Sequence, residues 1–242
     1  MKKIIIVYHA YIASDNYMDV ITDQFRKILT SRLFTECDKM LIGAIEMPGH
    51  KPQGGISWIN TFWSFPSSKE GKELHKKVEI IVHKENKELT DTLKWIRDYS
   101  KNNPGDYICF VHPKGITHND IPTIDWRKYM DYFIIERWKD CVKKLNEGYD
   151  SCGVMWNSDT VYGNYPHFSG CMFWANTDYI NTLEHSYLDA PWRYGGEFWI
   201  GSNPDCKIYE FHNSRMNDKD KFAISASHYS LPYPRENYEI AT

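Results

Sequence analysis

Residues 107–115, YICFVHPKG, decide the fold class of this chain. The first five residues are all apolar, which is typical of a strand buried on both faces of a parallel sheet. Apolar runs at 3–8, 40–45 and 78–82 predict further strands, and residues with helical spacing separate them. Strands that alternate with helices predict a mostly parallel α/β sheet.

The second half of the chain continues this pattern. A helix is predicted over 126–145, with Asp125 as its N-cap, because apolar residues recur there on one stripe. Strands are predicted over 149–156, 170–175 and 206–211, and a short helix over 177–183 with Asn176 or Thr177 as its cap. No repeat or linker interrupts the chain, so we expect a single domain over 1–242.

One region does not follow the strand and helix pattern. Residues 48–68 are rich in Gly, Pro and Ser, which predicts a long surface loop. Its aromatic side chains are too apolar to be left wholly in water, so the loop is interpreted as a lid or a docking surface.

Composition narrows the class of protein. The chain has 242 residues and a net charge of −3, which gives no reason to expect a nucleic acid partner. The first apolar run is too short to span a membrane. We therefore expect a cytoplasmic protein, with a peripheral position at the inner membrane face as an option. Scattered cysteines without a C-x-x-C pair indicate buried thiols in a reducing compartment: Cys37, Cys109, Cys141, Cys152, Cys171 and Cys206.

Polar residues follow the buried strand directly. Ligands of open α/β sheets lie outside the carboxyl ends of the strands, so Lys114 is a candidate partner of a diphosphate and His112 a candidate donor to it. Arg127, near the start of the next helix, could add to an anion site. Alternatively, His112 and Lys114 belong to a solvated turn, and Asp125 and Arg127 have only structural or surface roles.

A carboxylate stands out further along the chain. Glu197 lies between the glycine pair 195–196 and the bulky Phe198 and Trp199, a setting that suits a general base. The alternative is a solvated residue at a loop-to-helix junction. Upstream, Ser169 is a candidate for bonding a sugar hydroxyl, and Gly170 would permit close approach of a ligand to the backbone.

The histidines give only a weak indication of a metal site. His167 precedes Ser169, and His212 and His228 each stand next to an aromatic residue, but isolated histidines do not define a metal site. Residues 218–220, Asp-Lys-Asp, match a metal-binding pattern only in their letters.

Together these segments resemble a known family. The order of the motifs is similar to that of GT-A-type glycosyltransferase-like domains of bacterial surface-polysaccharide clusters, which share features with rhamnan synthesis proteins. The resemblance rests on six segments, at 107–115, 125–127, 136–138, 166–170, 197–201 and 228–229. It covers most of the chain and implies a GT-A-like, Rossmann-like fold, with a nucleotide-sugar-binding half over 1–125 and an acceptor or catalytic half over 126–242.

The resemblance also implies roles for single residues. Glu197 matches the place of the catalytic base of inverting enzymes. Donor or phosphate binding falls to Tyr8, His9, His112, Lys114, Asp125 and Arg127. Sugar or acceptor binding falls to His167, Ser169, Gly170, Tyr194 and Trp199.

The chain departs from the family pattern at one position. Most GT-A enzymes carry an Asp-x-Asp that holds a divalent cation, whereas His112-Pro113-Lys114 stands here instead. Use of Mn²⁺ or Mg²⁺ is therefore in question, with His212 and His228 as candidate ligands. Lys114, Arg127 and a late histidine could otherwise neutralise the diphosphate directly.

The sequence favours a glycosyltransferase that moves a sugar from a nucleoside diphosphate sugar to a glycan acceptor, in surface polysaccharide or lipopolysaccharide synthesis. The alternative is a non-catalytic nucleotide- or carbohydrate-binding module with the same fold. A metal-dependent hydrolase is weaker, because no His-x-His or His-Glu-x-x-His pair occurs. Donor sugar, base, acceptor, stereochemistry and oligomeric state are left open.

Overall fold

The structure is a computed structural model, which describes residues 2–12, 14–46, 54–64, 69–83, 85, 89–158, 165–189, 194–216 and 226–239. Its strands are β1 (Ile4–Tyr11), β2 (Lys39–Ile45), β3 (Val78–His83), β4 (Tyr107–Val111), β5 (Ser151–Gly153), β6 (Trp156–Asn157), β7 (His167–Phe168), β8 (Phe173–Asn176) and β9 (Ile208–Glu210). Its helices are α1 (Tyr17–Thr30), α2 (Leu33–Glu36), α3 (Gly55–Phe62), α4 (Lys69–Lys76), α5 (Thr90–Asn102), α6 (Ile121–Asp131), α7 (Trp138–Asn146), α8 (Thr177–Ile180), α9 (Gly195–Trp199) and α10 (Ala226–Ser230). A π-helical segment, Tyr132–Glu136, joins α6 to α7, and 3-10 turns occupy His185–Leu188 and Arg235–Asn237.

The central sheet has seven strands in the order β3-β2-β1-β4-β8-β5-β9. Strands β1 to β4 are parallel, and β8 runs antiparallel between β4 and β5. Strands β6 and β7 form a separate antiparallel pair. The predicted mostly parallel, Rossmann-like α/β fold is confirmed.

The order of the strands creates a crevice. From β1 the chain moves outward through β2 and β3, and then returns to place β4 on the other side of β1. Helices on opposite faces diverge at such a switch point, where α/β proteins bind ligands. Tyr8 pairs with Val111 in the register, so His9, which lies inside β1, stands beside His112, the first residue after β4.

Both faces of the sheet are covered by apolar packing. Ile6, Tyr8 and Cys109 belong to one buried cluster, and Ile5, Val7 and Phe110 belong to the other. Alternate residues of one strand point to opposite faces, so strands with both faces buried are apolar throughout. This explains why β4 could be recognised in the sequence.

A buried polar network ties α1 to α6 beneath β1. The Tyr8 hydroxyl donates to Gln24 Oε1 at 2.6 Å, and Gln24 Nε2 donates to Asp131 Oδ1 at 2.7 Å. Lys27 Nζ lies 2.8 Å from Asp131 Oδ2. Asp131 is fully buried, so its charge depends on these partners.

The prediction of a loop over 48–68 is wrong for residues 55–62, and residues 48–53 and 65–68 lie outside the described residues. Residues 55–62 form α3, and Trp63 is buried against Phe25 and Phe34, with ring centroids 4.9 and 4.8 Å apart. Trp58 and Phe62 lie one helical turn apart and both pack against Phe25. The aromatic side chains therefore specify a helix that docks on α1, despite the glycines and prolines around it.

The helix predicted over 126–145 begins earlier and is not continuous. It starts at Ile121, where Asp120 is the N-cap and accepts from the Thr123 backbone N–H at 2.9 Å. Asp125 is therefore not the cap, because it already lies inside the helix. The π-helical segment then divides α6 from α7. The π-helical turn has i→i+5 hydrogen bonds and accommodates one extra residue, which the assumption of a regular 3.6-residue period does not anticipate.

Several predicted strands are shorter than expected. The strand over 149–156 is divided, because Met155 has a positive φ of 55° and separates β5 from β6. The strand over 170–175 begins only at Phe173, after two residues with positive φ. Strand β9 covers only the middle of 206–211, whereas the cap at Asn176 is confirmed by its bond to the Tyr179 N–H.

We predict that Asp131→Asn lowers the free energy of unfolding by about 3 kcal/mol, because it leaves a partly buried lysine beside a neutral amide. Asp23→Asn is the matched control. Asp23 contacts the same Lys27 ammonium at 2.8 Å but is 47% exposed, against 0% for Asp131. Its loss should cost less than about 1 kcal/mol. Equal losses in urea denaturation would contradict this account.

Candidate functional site

Strand β1 places His9 at the switch point, beside the residue that follows β4. This histidine is buried, and its Nδ1 lies 2.9 Å from Thr92 Oγ1 at the start of α5. Burial, with His112 and His83 nearby, lowers the pKa of His9 to about 3. His9 is therefore neutral at physiological pH. Tyr8, by contrast, is fully buried and bonded to Gln24, so the predicted contact of Tyr8 with a nucleotide is not supported.

His112 follows β4 and connects it to a distant turn. Its Nε2 lies 2.6 Å from the carbonyl oxygen of Gly170. A carbonyl only accepts, so this nitrogen carries the proton. Burial and the charge of Lys114 lower the pKa of His112 to about 4, and the imidazole is neutral.

The turn that receives His112 has an unusual backbone. Gly170 has a φ of +94°, and a Cβ at this position would lie 2.4 Å from Met130 Sδ. Cys171 also has a positive φ, of 56°. Left-handed non-glycine residues of this kind are uncommon and are enriched at functional sites. The close approach that glycine permits at position 170 is therefore made by Met130, and the predicted close approach of a ligand to this backbone is not supported.

Glu197 reaches the same turn from α9. The Gly170 N–H donates to Glu197 Oε1 over a long 3.5 Å. The helix lies close to α5 because Gly196 has no side chain, and a Cβ there would be 3.1 Å from Leu93 Cδ1. Glu197 itself is half-buried. Among the residues that the structure describes, one weak hydrogen bond therefore holds the carboxylate near Gly170.

Lys114 supplies a positive charge at the carboxyl end of β4. Its Nζ lies 4.8 Å from the Trp126 ring centroid and 5.9 Å from that of Tyr229. Burial alone lowers the pKa of Lys114, but Glu197 and Tyr229 outweigh it, so the pKa is raised and the ammonium keeps its proton. In the part of the chain that the structure describes, no contact within 4.0 Å joins Lys114 to Glu197. Glu197 therefore acts on the Lys114 ammonium from beyond ion-pair distance.

Arg127 supports Lys114. The guanidinium is buried and its Nη1 donates to the Lys114 carbonyl oxygen at 3.0 Å, which fixes the backbone of the loop after β4. Asp125 is not brought to this loop by any contact among the described residues. Its charge acts instead on Tyr238 in the C-terminal segment. The structure therefore does not support Asp125 in donor binding.

An aromatic wall stands beside Glu197. His167 packs its ring edge-on against Phe198 at 4.8 Å, and Tyr194, which is 51% exposed, lies 6.0 Å from the same ring. Trp199 does not belong to this wall. It is fully buried in the core, because consecutive residues of a helix point about 100° apart. Its indole N–H is directed to His185 Nδ1 at 3.4 Å, so the structure does not support the predicted contact of Trp199 with a sugar.

The late histidines are engaged with protein partners. Tyr129 Oη lies 3.1 Å from His212 Nδ1, and His228 Nε2 lies 2.8 Å from Ser214 Oγ. Across the described ranges, no three His, Cys, Asp or Glu side chains form a group that could hold a metal ion. Mn²⁺ and Mg²⁺ favour oxygen ligands, so a buried imidazole bonded to serine does not suit them. Residues 218–220 lie outside the described residues.

Two residues near Lys114 were missed by the sequence analysis. Trp126 and Tyr229 both present their rings to the ammonium. The adjacency of Trp126 to Arg127 and of Tyr229 to His228 was the only sequence signal, and an aromatic residue beside a charged one is too common to indicate a cation–π contact.

The chain belongs to a protein family described as a domain of unknown function (DUF8361), whose model matches residues 8–188. No curated protein matches the sequence. Among solved structures, the chain is similar to 4-diphosphocytidyl-2C-methyl-D-erythritol synthase from Anaerococcus prevotii DSM 20548, with 8% identity and a TM-score of 0.47 over 94% of this chain and 95% of that one. This similarity is too low to assign an activity. No helix in the described ranges is long and apolar enough to cross a membrane.

We predict that His9→Asn reduces the loss of stability in acid. The unfolded chain binds a proton on His9 near pH 6.5, whereas the folded pKa is about 3, so stability is lost as the pH falls below 6.5. The variant, whose amide can still face Thr92, should lose about 1.4 kcal/mol less per pH unit between pH 6 and 4. Urea denaturation at several pH values measures this difference, and parallel pH profiles would contradict a neutral His9.

Proposed function

We propose that this protein is a glycosyltransferase that takes a nucleoside diphosphate sugar at the switch-point crevice and transfers the sugar to a hydroxyl group of a glycan. One observation carries the proposal. Lys114 and Glu197 come from distant parts of the sequence to the same end of the sheet, because His112 and Glu197 both bond the Gly170 turn, and among the described residues no N···O contact within 4.0 Å pairs the two charges. A cation and a carboxylate that lie near the same turn without pairing are available to a substrate.

The proposed reaction uses the two charges for different tasks. The acceptor hydroxyl oxygen attacks the anomeric carbon of the donor sugar, and the Glu197 carboxylate accepts the proton of that hydroxyl. The bond from that carbon to the diphosphate oxygen breaks, and the nucleoside diphosphate leaves with the electron pair. The Lys114 ammonium stabilises the negative charge that develops on the leaving group.

The surroundings suit these tasks. Arg127 holds the carbonyl of Lys114 and so limits the positions that the ammonium can adopt. Neutral His9 and His112 line the crevice without adding charge. On the other side of Glu197, His167 and the exposed ring of Tyr194 offer the kind of aromatic surface on which sugars stack.

A non-catalytic nucleotide- or carbohydrate-binding module is the second candidate. The observation that favours it is the lack of a group of metal-binding side chains in the described part of the chain. Such a module would bind a donor or a glycan and release no product. Binding and turnover must therefore be measured separately.

We predict that Glu197→Gln lowers the rate of transfer at least about 100-fold, because the amide cannot accept the proton. Donor binding should be retained, since the substitution keeps the shape of the side chain. Thermal-shift screening with uridine, guanosine and thymidine diphosphate sugars identifies the donor, and release of the nucleoside diphosphate in the presence of acceptor glycans measures turnover.

Glu147→Gln is the matched control, because Glu147 is a surface carboxylate just after α7 and pairs with Lys144. It should transfer sugar at the wild-type rate. Normal turnover by Glu197→Gln would refute the role of the base. Donor binding without any turnover by the wild-type protein would favour the binding module.

We further predict that Lys114→Gln weakens donor binding, whereas Glu197→Gln retains it. Loss of the ammonium should weaken binding of the nucleoside diphosphate at least about 10-fold, because a hydrogen bond to a charged group is lost. Calorimetric titration of the wild type, Lys114→Gln and Glu197→Gln separates the two roles. Equal affinity of the wild type and Lys114→Gln would exclude Lys114 as the phosphate ligand.

A further inference from the structure

Unpaired polar atoms gather around the Ser169–Gly170 turn. Trp126 Nε1, Arg127 Nε, Ser169 Oγ and His228 Nδ1 are buried and have no hydrogen-bond partner within the described residues. Each of these side chains is at most 5% exposed. A buried donor without a partner is costly, so most such groups in folded proteins are bonded. Several in one place indicate a site that an absent molecule completes.

The contacts of these residues place them together. A Cβ on Gly170 would lie 3.4 Å from Trp126 Cζ2, on the edge of the indole that carries Nε1. The His228 ring stacks on the Trp126 ring at 5.2 Å. Arg127 follows Trp126 and bonds the carbonyl of Lys114. Ser169 and the rings of Trp126 and His228 therefore lie at the turn to which His112 and Glu197 are also bonded, and Arg127 joins the same loop through Lys114.

The hydrogen-bonding capacity of the unpaired atoms indicates which kind of ligand they suit. An indole N–H and an arginine Nε–H can only donate, and a serine hydroxyl can donate as well. The Lys114 ammonium lies over the same Trp126 ring. A set of donors beside a fixed positive charge suits an anion with several acceptor oxygens, such as a diphosphate. It does not suit a divalent cation, which needs oxygen ligands that accept.

We infer that Lys114, Trp126, Arg127 and the Ser169–Gly170 turn bind the diphosphate of the donor directly, without a divalent cation. The inference rests on the proposed function, because the nucleotide sugar is what supplies a diphosphate here. It assigns charge neutralisation to the Lys114 ammonium and the Arg127 guanidinium, with hydrogen bonds from one indole N–H and one hydroxyl, in place of paired carboxylates and a metal ion.

Titration of the full chain with inorganic pyrophosphate tests the inference. In EDTA, pyrophosphate should raise the unfolding temperature, and added Mn²⁺ should not tighten the dissociation constant. Ser169→Ala and Trp126→Phe should each weaken binding about 10-fold, since each removes a donor to an anion. Ser169→Ala should also unfold at or above the wild-type temperature without ligand, because its hydroxyl makes no bond in the free protein.

Two buried residues with satisfied groups serve as matched controls. The Ser151 hydroxyl donates to the Trp174 carbonyl at 2.7 Å, and Trp138 Nε1 donates to the Ser31 carbonyl at 3.0 Å. Ser151→Ala and Trp138→Phe should lower the unfolding temperature of the free protein and leave the affinity for pyrophosphate unchanged. This is the reverse of the result expected for Ser169→Ala.

The inference and the proposed function can fail separately. Pyrophosphate binding that needs Mn²⁺, no binding in EDTA, or wild-type affinity of both Ser169→Ala and Trp126→Phe would overturn the inference. Sugar transfer that depends on Mn²⁺ would overturn it and leave the proposed function standing. Metal-independent pyrophosphate binding that both variants weaken, without transfer of any sugar, would support the inference and count against the transferase.

Discussion

The hydrogen bond from His112 Nε2 to the carbonyl oxygen of Gly170 joins the two halves of the site. It spans 2.6 Å and is made by a neutral imidazole, whose pKa of about 4 keeps it from gaining a second proton. Gly170 can accept the bond because its φ of +94° turns the carbonyl toward β4 and because no side chain occupies the space beside Met130. This contact adds to the pairing of Phe110 with Phe173 and ties the end of β4 directly to the turn that meets Glu197.

The electrostatics of the site follow from that contact. Lys114, which stays charged despite its burial, follows the His112 that bonds this turn, and Glu197 bonds the turn itself. Moving a charge out of water is unfavourable unless a partner compensates it. In this protein the compensation acts through space and through the rings of Trp126 and Tyr229. Such an arrangement leaves charges and donors free for a ligand, at a cost in the stability of the free protein.

The sequence predicted what depends on local pattern. Strand β4, the parallel arrangement and the cap at Asn176 could all be recognised because apolar runs and capping residues act over a few positions. The sequence could not reveal that 55–62 forms a helix, since contacts with Phe25 on α1 stabilise it. Nor could it tell that Phe198 packs against His167 and Tyr194 whereas Trp199 enters an apolar core cluster. The meeting of Gly170 with His112 depends on a left-handed turn and a long-range contact, which periodicity does not report.

A crystal structure of the protein with a bound nucleoside diphosphate tests the central claim most directly. The account predicts that the diphosphate lies at the carboxyl ends of β1 and β4, with a phosphate oxygen within hydrogen-bonding distance of Lys114 Nζ and the terminal phosphate directed toward Glu197. A nucleotide bound at the opposite edge of the sheet, or one whose phosphates point away from Lys114, would contradict it.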